Sequence, residues 1–535
     1  MTSGTTRFTF AVTCALAVMA GAFRFTAAPG PGLDPDAMSY LGAARTLAAD
    51  GTLRIPMAPW WSDSTTQPLT HFPPGYSAVL AVPVAFRLNA VQGARVVQSV
   101  AAGATAAIFM LALWPLVGAW GAVLGAVALA LTPAYAFVHL SVLSEPLFLA
   151  LMMLMMWSLF RRPRAPLMHG VIAAAATMVR YAGLSMAGAA ALWALRDSTA
   201  TWRERMRRAA LAIAPSLLAM AAWTLTREHA PGRGEPIRKL AFYGDWGPTL
   251  HEGARTVAHQ LAPTLEWEPT PWLAAAVALA AIAAMIWSTV RQSGGVMPSA
   301  EPDDSRRSAQ GEMLRAAGCL ALAYVGLVVA SRALADPAIP FDFRMTVPLV
   351  PPAVAAVTII AVRAWRIVSR PVRVVGVVLF IGWTAAAIRA NHQQVTDALA
   401  DGSDFASAEW RNSPTLAWVH AQDPSRALFT NLPCEIWFHL DRQVRNVPDS
   451  TDVATMRAFT AKLRATNGVM VAWNLQSPET AHTDSIAVHS GLVRIAQFED
   501  GSVFEMPSAS PRAAPPVTRA GIRAPGPVAP PAIRR

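Results

Sequence analysis

Long apolar runs, parted by short polar segments, dominate the first 390 residues. They fall at about 8–28, 93–113, 117–138, 142–160, 167–180, 182–195, 207–226, 271–290, 313–334, 345–362 and 374–390. A helix needs about 20 apolar residues to cross the hydrocarbon core, so the pattern predicts a mainly α fold, a polytopic membrane helix bundle of about eleven spans. Beyond residue 390 the runs shorten. Ala427–Thr430, Gly468–Trp473 and Leu492–Ala496 read as short buried strands, and Ser403–Ala421 and Thr451–Thr466 as helices. This alternation predicts a small α/β domain. The expected organisation is a transmembrane domain over 1–390, with 29–92 as its first outer loop, an extracytoplasmic α/β domain over 391–507, and a disordered tail over 508–535 rich in Pro, Ala and Arg. The polar stretch Gly294–Gly311 reads as a flexible cytoplasmic loop.

The arginines set the expected sidedness. With the N-terminus inside, alternate loops hold Arg161, Arg162 and Arg164; Arg196, Arg203, Arg205, Arg207 and Arg208; Arg291, Arg306, Arg307 and Arg315; and Arg363, Arg366, Arg370 and Arg373. The intervening short loops carry almost none, which is the positive-inside bias. It places 29–92, 227–270 and 391–535 outside, with the C-terminus out. One stretch needs care. Pro166–Leu195 is long enough for a single span but has Arg180 at its middle. An arginine at the bilayer centre costs about 2.5–3.5 kcal/mol on the insertion scale. Two short helices meeting at the outer surface avoid that cost and keep 203–208 inside. Phe8–Phe23, preceded by Arg7, also has the form of a signal peptide; it is read here as a retained first span.

Composition agrees. Of 535 residues 54% are hydrophobic and 14% charged, with a mean hydropathy of +0.35, against about 25% charged in soluble domains. The net charge of +11 lies in topology-determining clusters, so nucleic acid is not an expected partner; membrane lipid is, in the plasma or inner membrane of a cell. Cys14, Cys319 and Cys434 have neither metal-ligand nor disulfide spacing.

The first outer loop carries the candidate chemistry. Asp36 is placed to cap a helix running to about Ala49, with Gly51 as its stop. Met38, Leu41, Ala44, Leu47 and Ala48 share one face, expected to lie on the membrane surface or the bundle. His71-Phe72-Pro73-Pro74-Gly75-Tyr76 follows, then an apolar stretch, Ser77–Phe86, interrupted by Pro83 and read as re-entrant or interfacial. Asp34 and Asp36 would stand near a helix N-terminus at the membrane–water interface. Each candidate also has a plainer reading: helix caps for the acids, snorkelling anchors for Arg180 and Arg344, a dipole-favoured helix start for Glu145, a loop position for His71 and packing for Tyr40.

The pattern Asp36-x3-Tyr40-x3-Ala44-x2-Leu47-x3-Gly51 resembles the first outer loop of the glycosyltransferase C superfamily. The bacterial members it is similar to are protein mannosyltransferases using dolichyl-phosphate mannose and lipid A aminoarabinose transferases. Further segments are similar, in the same order: Pro73-Pro74-Gly75-Tyr76, Ser144-Glu145-Pro146-Leu147-Phe148-Leu149, Arg180-Tyr181-Ala182-Gly183-Leu184 and Phe343-Arg344-Met345-Thr346-Val347-Pro348-Leu349. The resemblance spans about 1–505. It implies transfer of a sugar from a polyprenyl-phosphate donor to a protein, lipid or glycan acceptor on the outer face. Asp36 matches the family's first-loop acid and Asp34 is an adjacent helper or metal-facing carboxylate. Arg344, Arg180, Glu145, His71 and Tyr40 are the candidates for donor phosphate and substrate. A divalent metal is compatible with this set; no residue pattern requires one. The chain departs from the family at Ala37, where relatives often have Glu, and at His71-Phe72, where a Lys commonly precedes the Pro-Pro pair.

Two other classes fit a polytopic chain. A transporter would need ionisable residues in mid-span, internal repeats or broken helices near the midplane. A noncatalytic scaffold or sensor would rest on the C-terminal domain.

Overall fold

A computed structural model describes residues 4–227, 241–244, 246–264, 276, 302–474 and 479–507. The run expected at 271–290, except Ala276, and the expected tail at 508–535 lie outside the described residues. The chain divides into two compact units, one formed by 1–31 with 70–400, the other by 32–69 with 401–535.

The first unit is helical. Its main elements are α1 (Gly4–Phe25), α3 (Gly75–Ala85), α4 (Ala90–Leu131), α5 (Pro133–Leu140), α6 (Glu145–Arg161), α7 (Pro166–Val179), α8 (Leu184–Leu195), α9 (Trp202–Thr226), α10 (Gly247–Leu261), α11 (Pro302–Leu334), α12 (Phe343–Thr346), α13 (Val350–Ile367) and α14 (Arg370–Ala400); α2 belongs to the other unit. Among the described residues six helices, α1, α4, α9, α11, the segment Phe343–Ile367 and α14, are long and apolar enough to cross a membrane. α4 is two helices joined at a break. Gly118 sits there at φ 79° and ψ 176°, backbone that only glycine adopts cheaply. α14 continues to Ala400, ten residues beyond the expected end of the helical region, because Asn391–Ala400 contains no glycine or proline to stop it. Pro302–Gly311, expected to be loop, forms the first turns of α11. Pro302 followed by Asp303 and Asp304 suits a helix start.

The Pro166–Leu195 stretch is broken as the mid-span arginine requires. α7 ends at Arg180, whose backbone is extended, and a 3-10 turn, Tyr181–Gly183, leads into α8. The two helices pack on each other and on α9. The elbow is tight: a Cβ on Gly183 would stand 2.2 Å from the Thr177 nitrogen, and one on Gly75, at the start of α3, 2.5 Å from the Met178 oxygen. Glycine therefore lets Pro73-Pro74-Gly75 lie against the end of α7.

The second unit is a layered α/β body. Strands β1 (Arg54–Ile55) and β3 (Gln67–Pro68) pair antiparallel. β2 (Met57–Ala58), β4 (Leu428–Thr430), β5 (Val444–Asn446), β6 (Val469–Trp473), β7 (Val493–Gln497) and β8 (Gly501–Glu505) form a six-stranded sheet in the order β2-β5-β4-β6-β8-β7. The first four strands are parallel and the last two are antiparallel additions. β6 is buried along its whole length, which accounts for its unbroken apolar run. Alternate residues serve opposite faces: Phe429, Met470 and Phe504 join one cluster, Leu428, Val469, Val471, Trp473 and Val503 the other. The predicted helix over 403–421 is two short ones, Ala408–Arg411 and Pro414–His420, with Pro414 starting the second. α18 (Val453–Ala465) covers the first cluster.

The first-loop helix, α2 (Pro35–Asp50), belongs to this unit. Its apolar first half is buried against Pro56 below Gly42 and against the helix Pro433–Leu440, here α17. The expected membrane- or bundle-facing stripe is thus part of the α/β unit's core. β2 explains why: the chain just after α2 is an edge strand of that unit's sheet, paired with β5.

Gly183→Ala is expected to lower thermal stability by about 1–3 kcal/mol, the usual cost of forcing a methyl into a filled space. Gly376→Ala, which meets nothing within 4 Å, should leave the melting temperature unchanged. Equal melting of both variants would contradict the packing at the elbow.

Candidate active site

In the first unit three separated motifs converge on one carboxylate. Glu145 opens α6 and is fully buried. Its Oε1 accepts from Arg180 Nη1 at 2.6 Å and from Arg344 Nε at 2.8 Å. Arg180 Nη1 also donates to the Ser144 hydroxyl at 3.1 Å. Each position follows from a chain break. Glu145 lies at a helix N-terminus, where the dipole favours an anion, and Arg180 at the C-terminal end of α7, where it favours a cation. Arg344 lies in the first turn of α12, whose start is fixed by Asp342 accepting from the Met345 N–H at 2.9 Å. The arginine side chains are 13% and 22% exposed, so both guanidiniums are largely sheltered yet reach the surface. Glu145 Oε2 is buried with no hydrogen-bond partner among the described residues. Burial raises the Asp342 carboxyl even though the Arg344 guanidinium opposes it. Removing one member of such a buried group typically costs about 3–5 kcal/mol, because a charge is left uncompensated.

His71 is exposed, with its ring edge-on to Phe72 at 4.7 Å between centroids. Thr70, just before it, accepts from Arg227 Nη1 at 2.8 Å through its carbonyl, and Pro73-Pro74-Gly75 follows along the α7 elbow.

The other three candidates lie in the second unit, on the first turns of α2. Here the sequence reading needs correction. The helix cap is Asp34, not Asp36: its Oδ1 accepts from the Ala37 N–H at 2.8 Å. Pro35 decides this, since its fixed φ and missing N–H suit the first helical position. Asp36 therefore stands within the first turn, half-buried, and is not the cap. Gly51 stops the helix as expected, at φ 77°, donating to the Leu47 carbonyl. Tyr40 is buried in the packed first half of α2.

A group with no chemical signature in the sequence joins them. Glu435, in the first turn of α17, is fully buried, and neither carboxylate oxygen has a hydrogen-bond partner among the described residues. Burial pushes its carboxyl up to about 8. The neighbouring Cys434 thiol is pushed up by burial, then by the negative charges of Glu435, Asp34 and Asp36, so the first turns of α2 and α17 are neighbours. Nothing in Pro433-Cys434-Glu435-Ile436-Trp437 distinguishes this glutamate from a surface residue; only the folded packing does. Among the described residues no three His, Cys, Asp or Glu side chains gather as a metal ion would require.

No protein-family model matches the chain, and no curated protein matches it. Solved structures do resemble it. ArnT from Cupriavidus metallidurans bound to undecaprenyl phosphate is 14% identical with a TM-score of 0.45, over 94% of this chain and 98% of that one. The arabinofuranosyltransferase AftD from Mycobacteria is 17% identical with a TM-score of 0.49, over 93% of this chain and 40% of its own. The Archaeoglobus fulgidus oligosaccharyltransferase in its apo form is 10% identical with a TM-score of 0.49, over 89% and 71%. Likeness at this level assigns no residue a role.

The raised Glu435 carboxyl has a pH signature. A neutral buried acid contributes its full stability below the ordinary carboxylate range and loses it as pH rises to about 8. Each unit of such a shift corresponds to about 1.4 kcal/mol. Glu435→Gln should therefore match wild type in amide-exchange protection across Pro433–Leu440 near pH 5 and exceed it near pH 8. Protection that falls equally in both proteins would contradict the buried neutral acid.

Proposed function

We propose that this chain is a membrane glycosyltransferase that moves a sugar from a polyprenyl-phosphate donor to an acceptor on the extracytoplasmic face, with inversion. The observation that carries this reading is the convergence of Arg180 and Arg344 on Glu145. These residues come from three of the five segments that resemble the superfamily, separated by up to 199 positions, and nothing but folding brings them together.

The chemistry is a displacement at the anomeric carbon. The acceptor hydroxyl attacks as the bond from that carbon to the phosphate oxygen breaks. The bonding pair leaves with the lipid phosphate, and the hydroxyl proton goes to a carboxylate. Asp36 serves as that base. Its reading as base is supported by the first-loop motif and by its place in the first turn of α2, just inside the Asp34 cap. Arg180 and Arg344 stabilise the charge that grows on the phosphate. Glu145 holds both guanidiniums in orientation. Asp34 acts as a positioning residue for the α2 N-terminus. His71 lies on the segment leading to the elbow and is assigned to the substrate's approach, and Tyr40 supports α2 from beneath. The apolar helices support a membrane location, and the arginine distribution supports an outer-side assignment for the α/β unit.

Asp36→Asn should abolish transfer of radiolabelled sugar from a panel of polyprenyl-phosphate sugars to a crude envelope extract, a loss of at least about 100-fold for a general base. Asp34→Asn should retain measurable activity with a loosened α2. Full activity in Asp36→Asn would remove Asp36 as the base.

A further inference from the structure

A second site lies at the opposite ends of these helices, on the side that the arginine distribution assigns to the cytoplasm. A cavity of about 540 Å³ is lined by Arg7, Trp114, Gly118, Phe160, Arg161 and Arg306, among others. Among the described residues none of those lining it is acidic. The three arginines come from three elements: the first turn of α1, the last turn of α6 and the start of α11.

The floor is the break in α4. At Gly118 the helix loses its regular backbone, and the Leu116 carbonyl accepts instead from Arg306 Nε at 2.7 Å and Gln310 Nε2 at 2.8 Å. Arg306 is thereby pinned, with its Nη2 3.7 Å from where a Gly118 Cβ would stand. A side chain at 118 would strain the backbone, while its Cβ would meet this guanidinium at ordinary van der Waals distance. Arg7 is half-buried, and its Nε is buried with no hydrogen-bond partner among the described residues. A buried donor left without an acceptor costs about 1–3 kcal/mol, more when it is charged.

A topology signal needs arginines only on one side of a membrane. It does not require three of them to face one concavity, where like charges repel. Guanidiniums stay charged at any working pH and bind phosphate oxygens through paired N–H groups. The wall is equally suited to a lipid. Trp114 packs against Phe10 of α1 at 5.5 Å between ring centroids, the rings tilted by 55°, and α1 carries exposed Phe8, Val12 and Leu16 along its length, a surface along which acyl chains can lie.

We propose that this cavity binds an anionic phosphoryl group, the headgroup of a membrane phospholipid or a free phosphate, through Arg7, Arg161 and Arg306. The experiment uses the full chain in detergent at fixed ionic strength, with thermal stabilisation read against added dioleoyl-phosphatidylglycerol, dioleoyl-phosphatidylcholine and inorganic phosphate. Phosphatidylglycerol should stabilise wild type at concentrations where phosphatidylcholine does not. The Arg7→Gln/Arg161→Gln double variant should need at least about tenfold more of it, from the loss of two charge-assisted contacts. Arg161→Gln alone, a change at an exposed side chain, should show a smaller weakening on an intact fold. Arg370→Gln, outside the cavity, should bind as wild type. Stabilisation by phosphatidylglycerol alone identifies the lipid headgroup, and equal stabilisation by inorganic phosphate identifies a free phosphate; either supports the site when the double variant loses it. Equal response of wild type and the double variant, or no response of wild type to either anion, overturns it.

Discussion

One fully buried carboxylate, Glu145, shared between Arg180 and Arg344, is the constraint around which the helical unit is organised. A charge in an apolar bundle is tolerated only when paired, and pairing here dictates geometry. α6 must begin at Glu145, α7 must end at Arg180, and the chain after α11 must turn so that Arg344 re-enters at the first turn of α12. The tight glycines follow from the same demand. Gly183 and Gly75 let the elbow and the Pro-Pro segment close around Arg180, where a single added methyl would collide with backbone. The arrangement holds two guanidiniums in a fixed pose.

The α/β unit solves a different problem. A loop of some sixty residues outside a helix bundle would have little to hold it. Here α2 and β2 are built into a sheet whose other strands lie more than 350 residues later. The Asp34 cap, Pro35 and Gly51 set both ends of α2, and burial of Met38, Tyr40, Leu41 and Ala44 fixes its rotation. The orientation of Asp36 is therefore a property of the sheet and of α17 as much as of the loop sequence. Glu435, neutral and buried beside that turn, is part of the same packing.

Much of this was legible in the sequence because it is local or periodic. The apolar runs mark the helices, the energetic cost of Arg180 marks the elbow, and β4, β6 and β7 occupy the segments whose patterns predict strands, although β7, expected to be buried, lies largely exposed at the sheet's edge. The motif order selected Glu145, Arg180 and Arg344 before their contact was visible. What escaped was decided by tertiary packing or by one neighbouring residue. Pro35 shifted the cap from Asp36 to Asp34. The two-residue strand β2 is too short to leave a pattern, and only its pairing with β5 reassigns α2 to the α/β unit. Pro302-Asp303-Asp304 looked like loop composition and is a helix start. Glu435 lies on an ordinary amphipathic turn, and its burial is invisible until α2 covers it.

The central claim is that Arg180 and Arg344, oriented by Glu145, receive the donor's phosphate. It is tested most directly by binding of a polyprenyl phosphate to the purified full-length protein, wild type against Arg344→Gln and Arg344→Lys. The account predicts saturable binding by wild type, weakened at least about tenfold in Arg344→Gln and partly restored in Arg344→Lys, since a lysine keeps the charge but not the paired N–H geometry. Binding of equal affinity in all three proteins would contradict it.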